Sequence, residues 1–320
     1  MKLPAYPFRN VRTSNGSVLL AVLCLVATLS FVTITAITAS QRHAEVQMTR
    51  LGQLRARQLA EMGVAVAVHP QIKPGDPLLH REVSTIERFD VFLSTEESRL
   101  NLNSLLTEER LPLLEAIFTS WGMLPADAQS VAATLMDWVD PDDLKRRPDS
   151  AERLDYEQSG LTGLPLNRPF LSLDEVDLVP RMADIMQLRP DWRSFFTLRG
   201  SGHLDVNTAS AEALVALTGA PEANARLLVE TRNGPDGIPQ TQDDAVLTDV
   251  EQAMTELGIQ GDTATLIRPL LTLAGQTLRI ESVGAAGDHL CGLAVIVLKG
   301  NGKAGIAEWG EFPVSTTSTL

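Results

Sequence analysis

The side chains with the most evident chemistry in this sequence are carboxylates. Asp137-Trp-Val-Asp-Pro-Asp-Asp puts Asp140, Asp142 and Asp143 within one short stretch, and Asp149, Glu152, Asp155 and Tyr156 follow. Unpaired carboxylates this close repel one another. A hard cation relieves the repulsion, and Ca²⁺ takes about six to eight oxygen ligands from carboxylates and carbonyls. The order is not an EF-hand, because the Gly and the closing Glu are not at the required positions. Two readings stand on the residues alone, a solvated acidic loop and a calcium site. Asp236, Asp243 and Asp244 form a smaller cluster of the same kind. Other chemistry is missing from the pattern. There is no Gly-x-Ser-x-Gly, no His-Glu-x-x-His and no phosphate-cradling Gly-Lys-Ser/Thr. The five histidines, at 43, 69, 80, 203 and 289, are scattered. The chain reads as a non-enzyme. Its formal charge of -13 repels phosphates and argues against a nucleic-acid partner.

Helices and loops must position these acids. Leu111 to Trp121 and Ala126 to Val139 carry apolar residues at helical spacing. Asp140 to Gln158 is polar and reads as a loop. Ser172-Leu-Asp-Glu175 and Thr248-Asp-Val-Glu251 are capping boxes that open helices. Further helical signals lie at Thr208–Leu217, Pro221–Thr231, Gln252–Leu257 and Asp262–Leu273, with Asn207 or Thr208 as a cap. Arg99-Leu-Asn-Leu-Asn-Ser-Leu reads as a strand-to-helix corner, since Asn suits turns. Strand signals flank this helical middle. Ile86–Leu93 comes before it. Thr277–Val283, His289–Leu298 and Ile306–Phe312 come after, as an antiparallel meander. Cys24 and Cys291 lie in separate apolar runs, so no disulfide is expected.

The start of the chain has a different character. Lys2, Arg9 and Arg12 precede Gly16, and no charge appears between Arg12 and Arg42. That apolar span is long enough to cross a bilayer. Its basic flank predicts a cytoplasmic N-terminus. The core is longer than that of an ordinary secretory signal, and a prepilin-like signal fits better, with a basic leader, a Gly at the cut and a helix continuing past the membrane. From Ser17 to about Val68 the helix would run about 75–80 Å. Leu51, Leu54, Leu59 and Met62 give its second half an apolar face. That face is expected to cover one side of the sheet.

Taken in order, these segments resemble the type II secretion minor pseudopilin K family (general secretion pathway protein K). The resemblance rests on Gly16-Ser-Val-Leu-Leu-Ala, Glu97-Ser-Arg-Leu-Asn-Leu-Asn-Ser-Leu, the Asp137 loop with Glu152 and Tyr156, and Asn167-Arg-Pro-Phe-Leu-Ser-Leu-Asp-Glu-Val. Leu204-Asp-Val-Asn-Thr-Ala and Leu278-Arg-Ile-Glu-Ser complete it. It implies an α+β, pilin-like fold, in which a long N-terminal transmembrane helix packs on an antiparallel sheet and a large all-α insertion domain is added. The expected organisation is a prepilin leader over 1–16, a helix over 17–68 with 17–39 in the membrane, β regions over 69–103 and 274–320, and the insertion over 104–273. The resemblance further implies cleavage after Gly16 by a prepilin peptidase, N-methylation of Ser17, and calcium near the acidic loop, on Asp140, Asp142, Asp143 and Glu152. The family pattern often has Gly before that Glu, where Ser150-Ala151 stands here. The fifth mature residue is Ala21, where ordinary prepilins carry Glu, and this marks a tip subunit. The implied partners are minor pseudopilins I and J and the inner-membrane assembly platform. The implied place is the inner membrane, single-pass, with the bulk of the chain periplasmic. The implied role is priming a pseudopilus for export of folded proteins across the outer membrane. The alternative is a membrane-anchored periplasmic calcium-binding interaction protein outside any secretion machine. A third reading, a DNA-handling competence protein, is disfavoured by the acidic charge.

Overall fold

The computed structural model describes residues 15–241, 243–300 and 303–314. Most of the leader expected over 1–16 lies outside them. The chain divides after Arg55 into two units, and helix α1 (Asn15–Ala67) contributes to both. In the first unit, residues 17–50 of α1 are exposed all round. They include Leu19, Leu23, Phe31 and Ile34, as a lipid-facing helix requires. Its threonines make no outside demand. Thr28, Thr33 and Thr38 donate to the carbonyls of Leu25, Leu29 and Ile34 at 2.9–3.0 Å. Each hydroxyl is therefore satisfied within the helix, which suits hydrocarbon surroundings. One helix here is apolar and long enough to span a bilayer.

The second unit is built on a five-stranded antiparallel sheet. Its strands are β1 (His80–Ser84), β2 (Glu87–Thr95), β7 (Thr277–Ala286), β8 (His289–Gly300) and β9 (Lys303–Phe312), in spatial order β1-β2-β7-β8-β9. The remaining elements come between the neighbours β2 and β7. They are β3 (Leu100–Asn101), α2 (Leu102–Leu105), α3 (Leu111–Ser120), α4 (Pro125–Val139), α5 (Arg153–Gln158), α6 (Leu173–Val176) and α7 (Met182–Leu188). Then come β4 (Phe196–Thr197), β5 (Leu204–Asp205), α8 (Ala211–Thr218), α9 (Glu222–Arg232), α10 (Val250–Leu257), α11 (Gly261–Ile267) and β6 (Leu271–Thr272). The inserted region is therefore not purely helical, as the all-α expectation had it. Two short parallel pairs, β3–β4 and β5–β6, tie distant segments together. Two-residue strands leave no alternation to read in the sequence.

Two cores result. In one, Ala56, Leu59, Ala60, Val64 and Ala67 of α1 pack on Phe89, Val91, Ile280, Leu293 and Val295 of the sheet. The buried face of α1 thus differs from the expected one: Leu51, Leu54 and Met62 are exposed, and only Leu59 of that set is buried. The reason is proximity. A Cβ on Gly284 of β7 would overlap the Ala56 carbonyl and the Ala60 nitrogen, and one on Gly63 would overlap Val91 and Ser282. Ser282 donates its hydroxyl to the Ala60 carbonyl at 2.8 Å. Helix and sheet backbones approach so closely that small side chains must face each other. The second core fills the insertion, from Leu100 through Trp138 and Leu214 to Leu271.

A seam of buried acids joins the sheet to the insertion. Glu96 accepts from Arg279 at 2.9 Å and from the Thr197 hydroxyl. Glu97 accepts from the backbone N–H of Ser201 at 3.0 Å and of Thr277 at 3.2 Å. Asp205 accepts from Asn207 N–H at 2.9 Å and Gly275 N–H at 3.1 Å. At the sheet's flank, β1 pairs with β2 only as far as Asp90. Beyond it Gln240 clasps Leu93. Its amide oxygen accepts the Leu93 N–H at 3.2 Å and its amide nitrogen donates to the Leu93 carbonyl.

Several local expectations shift. β1 precedes the expected strand, which itself runs to Thr95. α5 forms inside the stretch read as a loop, opened by a capping box of Glu152 and Asp155. Ser210, not Asn207 or Thr208, caps α8, and Asp249 caps α10.

Candidate functional site

The acidic loop leaves the C-terminus of α4. Asp137, on the last turn, is fully buried. It accepts from the Arg146 N–H at 3.3 Å and from the Ser150 hydroxyl. Burial pushes its pKa up. Arg146 crosses the loop and reaches Asp140 Oδ2 at 3.1 Å and Glu108. Below the loop lies an aromatic floor. Trp138 stacks on Phe170 with ring centres 5.5 Å apart and meets Tyr156 edge-on at 5.7 Å. Phe170 is held by Asn103, whose side chain both accepts its N–H and donates to its carbonyl, each at 2.9 Å. Asn103 thereby does for Phe170 what a neighbouring strand would do.

The four expected ligands are not equivalent. Asp142 accepts the Leu144 N–H at 2.8 Å, as a turn-former does. Asp143 pairs with Arg153 at 2.9 Å in the open. Asp140 and Glu152 differ from both. Asp140 Oδ1 and Glu152 Oε1 are buried and receive no hydrogen bond, and the same holds for Asn167 Oδ1 and the Tyr156 hydroxyl. Burial pushes the Glu152 carboxyl up to about 7, with Asp137, Asp140 and Asp143 adding to the rise. Burial likewise raises Asp140 and Tyr156. Among the described residues, no three His, Cys, Asp or Glu side chains come together as a metal cluster. One oxygen of each of two carboxylates, one amide oxygen and the Tyr156 hydroxyl are the acceptors left unsatisfied. Asn167 was not among the expected ligands. Its backbone sits at φ 48°, and its amide nitrogen donates to the Asp142 carbonyl at 3.3 Å. The sequence signal for it was its place at the head of Asn167-Arg-Pro-Phe. The second cluster is satisfied: Asp236 accepts Ile238 N–H, Asp243 the Thr241 hydroxyl, and Asp244 the Gln240 N–H.

Residues 98–190 match the family model described as type II secretion system (T2SS), protein K. That span holds the acidic loop, the Asn103 clamp and Asn167. Over those residues the chain is similar to the type II secretion protein K family. Among solved structures, a chain of the crystal structure of the GspK–GspI–GspJ complex from the enterotoxigenic Escherichia coli type 2 secretion system is similar at 14% identity. The TM-score is 0.59, over 86% of this chain and 100% of that one. No curated protein matches the sequence. The motifs that carry the protein K resemblance have physical roles. Asn101 caps α2 by accepting the Ser104 N–H at 3.1 Å, and donates to the Arg199 carbonyl at 2.9 Å. Asn207 donates to the carbonyls of Leu247 and Leu273 and accepts the Leu247 N–H, at 2.9–3.0 Å. In this chain the asparagines serve as joints between distant loops.

Proposed function

We propose that this chain is a minor pseudopilin of the type II secretion system, the tip subunit that primes pseudopilus assembly, together with minor pseudopilins I and J, for export of folded proteins across the outer membrane. The role is structural and non-enzymatic. The observation that carries it is the protein K domain behind an exposed apolar helix in which position 21 is Ala. An uncharged residue there offers no carboxylate to the amine of a subunit ahead, and leaving an acid out of hydrocarbon is the lower-energy state. The similar solved structure is a complex of GspK with GspI and GspJ, which supports the choice of partners. On this reading a prepilin peptidase cuts after Gly16, Ser17 is N-methylated, and the inner-membrane platform receives the subunit. The N-terminus faces the cytoplasm and the bulk of the chain the periplasm. The test is Gly16→Leu. Mass spectrometry should find the leader retained and exoprotein secretion should stop. Normal trimming and normal secretion would refute the prepilin reading.

The acidic loop supports Ca²⁺ as a structural ion. Asp140 Oδ1, Glu152 Oε1 and Asn167 Oδ1 are hard oxygen acceptors, buried without donors. A buried acceptor left unmet costs about 1–3 kcal/mol, more when charged. A divalent ion there would offset that cost and the mutual repulsion of Asp140 and Glu152. Asp142 and Asp143 stand nearby with their own partners, so the ligand set centres on the first three residues.

A further inference from the structure

Five buried polar atoms without a hydrogen-bond partner belong to the acidic loop and its aromatic floor. Three can only accept: Asp140 Oδ1, Glu152 Oε1 and Asn167 Oδ1. The other two can donate, and they are the indole Nε1 of Trp138 and the hydroxyl of Tyr156. Local structure places them together. Glu152 and Tyr156 stand one turn apart, where the Tyr156 N–H donates to the Glu152 carbonyl at 3.3 Å. Trp138 touches both Tyr156 and Phe170, and Phe170 follows Asn167 by three positions. The side chains of Trp138 and Tyr156 are fully buried. Burial raises the Tyr156 phenol first, and the charges of Glu152 and Asp137 raise it further, so the ring lies in the field of the carboxylates around the loop. The two donors change what the loop can hold. An indole N–H donates and cannot accept, so no bare cation can meet it. Neither donor reaches any of the three acceptors. A water serves both sets. Bound to a cation through one lone pair, it keeps a second lone pair for a donor and two hydrogens for acceptors.

We propose that Trp138 and Tyr156 are positioning residues for a water carried by the loop's ion, so that the site takes Ca²⁺ partly hydrated. The inference rests on the calcium reading of the loop and adds what completes the ion's shell. Asp140, Glu152 and Asn167 offer three unmet oxygens. Ca²⁺ takes about six to eight, which leaves places in the shell for water. A buried water needs about two to four polar partners, and the loop with its floor supplies them. Stacking on Phe170 fixes the indole plane, so the N–H is presented without a rotamer to lose.

The test uses the full-length chain in detergent micelles, with Tb³⁺ as a luminescent probe in place of Ca²⁺. O–H oscillators on the ion quench its emission, so lifetimes in H₂O and D₂O count the bound waters. The wild-type chain should hold Tb³⁺ with at least about one water, and Ca²⁺ should displace it. Glu152→Gln should abolish the signal, which ties it to this loop. Tyr156→Phe removes one oxygen and keeps the ring. It should weaken Ca²⁺ binding about tenfold in a calorimetric titration and leave the thermal midpoint in chelator unchanged or higher. A residue that only packs would instead lower the midpoint in chelator and leave the affinity alone. Failure of both ions to bind, or a signal that survives Glu152→Gln, would sink the calcium reading and this inference with it. A bound ion carrying no water, or full Ca²⁺ affinity in the folded Tyr156→Phe chain, would overturn this inference alone and leave that reading standing.

Discussion

Two groups of buried acids in this protein have similar composition and opposite accounts. In the seam, every carboxylate oxygen of Glu96, Glu97 and Asp205 receives a hydrogen bond. In the loop, Asp140 and Glu152 each keep one buried oxygen that receives none. Burial of charge alone therefore does not separate the two groups. What separates them is an acceptor that the protein itself leaves unmet. The seam is closed and structural, joining parts of the chain more than a hundred positions apart. The loop keeps the unmet acceptors on which the calcium proposal rests.

The largest effect should come from opening the seam. Arg279→Met leaves Glu96 buried without its cation and should cost about 3–5 kcal/mol of stability in chemical denaturation. Calcium should not restore it. Asn207→Ala removes three hydrogen bonds from the joint next to Asp205 and should cost about 2–3 kcal/mol by the same measurement. The loop should respond to the ion instead. Calcium at about a hundredfold excess over its dissociation constant should raise stability by about 2.7 kcal/mol, seen as a higher thermal midpoint than in chelator. Glu152→Gln should abolish most of that rise. An unchanged midpoint at millimolar Ca²⁺ would remove the contrast between the two groups.

A pH trend in chelator is also expected. Glu152 has its folded pKa raised from 4.5 to about 7. The folded state then holds this proton more tightly than the unfolded chain does. Its ionisation costs stability, by an amount that is nil below about 4.5 and complete above about 7. The thermal midpoint should therefore drift down as pH rises through that window. Glu152→Gln should flatten the drift, and a drift in the opposite direction would contradict the assignment.

Regular elements were legible because their periods are long. α3, α4 and the strands from β7 onward stand close to where their apolar spacing puts them. β1 was hidden, because all five of its residues are exposed and no alternation marks it. α5 was masked by the acids around it, two of which form its cap. The face of α1 departs from its pattern for a different reason. Large apolar residues usually mark a buried stripe, yet here Gly284 brings the sheet so near that alanines occupy it. In the loop, the acids were visible as a group, but their inequality was not. Asp142 and Asp143 find partners within their own turn and on α5, whereas the unmet oxygens of Asp140, Glu152 and Asn167 are set by tertiary burial that no local pattern records. The seam could not be read at all, since Glu97 and Thr277 meet only once the chain has returned to the sheet.

The clasp of Gln240 on Leu93 has a consequence for how this molecule keeps to itself. A bare strand margin is an invitation to any stray extended chain, and such margins nucleate aggregates. One side-chain amide, borrowed from a loop 147 positions away, imitates a peptide unit and fills that berth. Replacing it with alanine would free a donor and an acceptor side by side, and turn a sealed hem into an adhesive one.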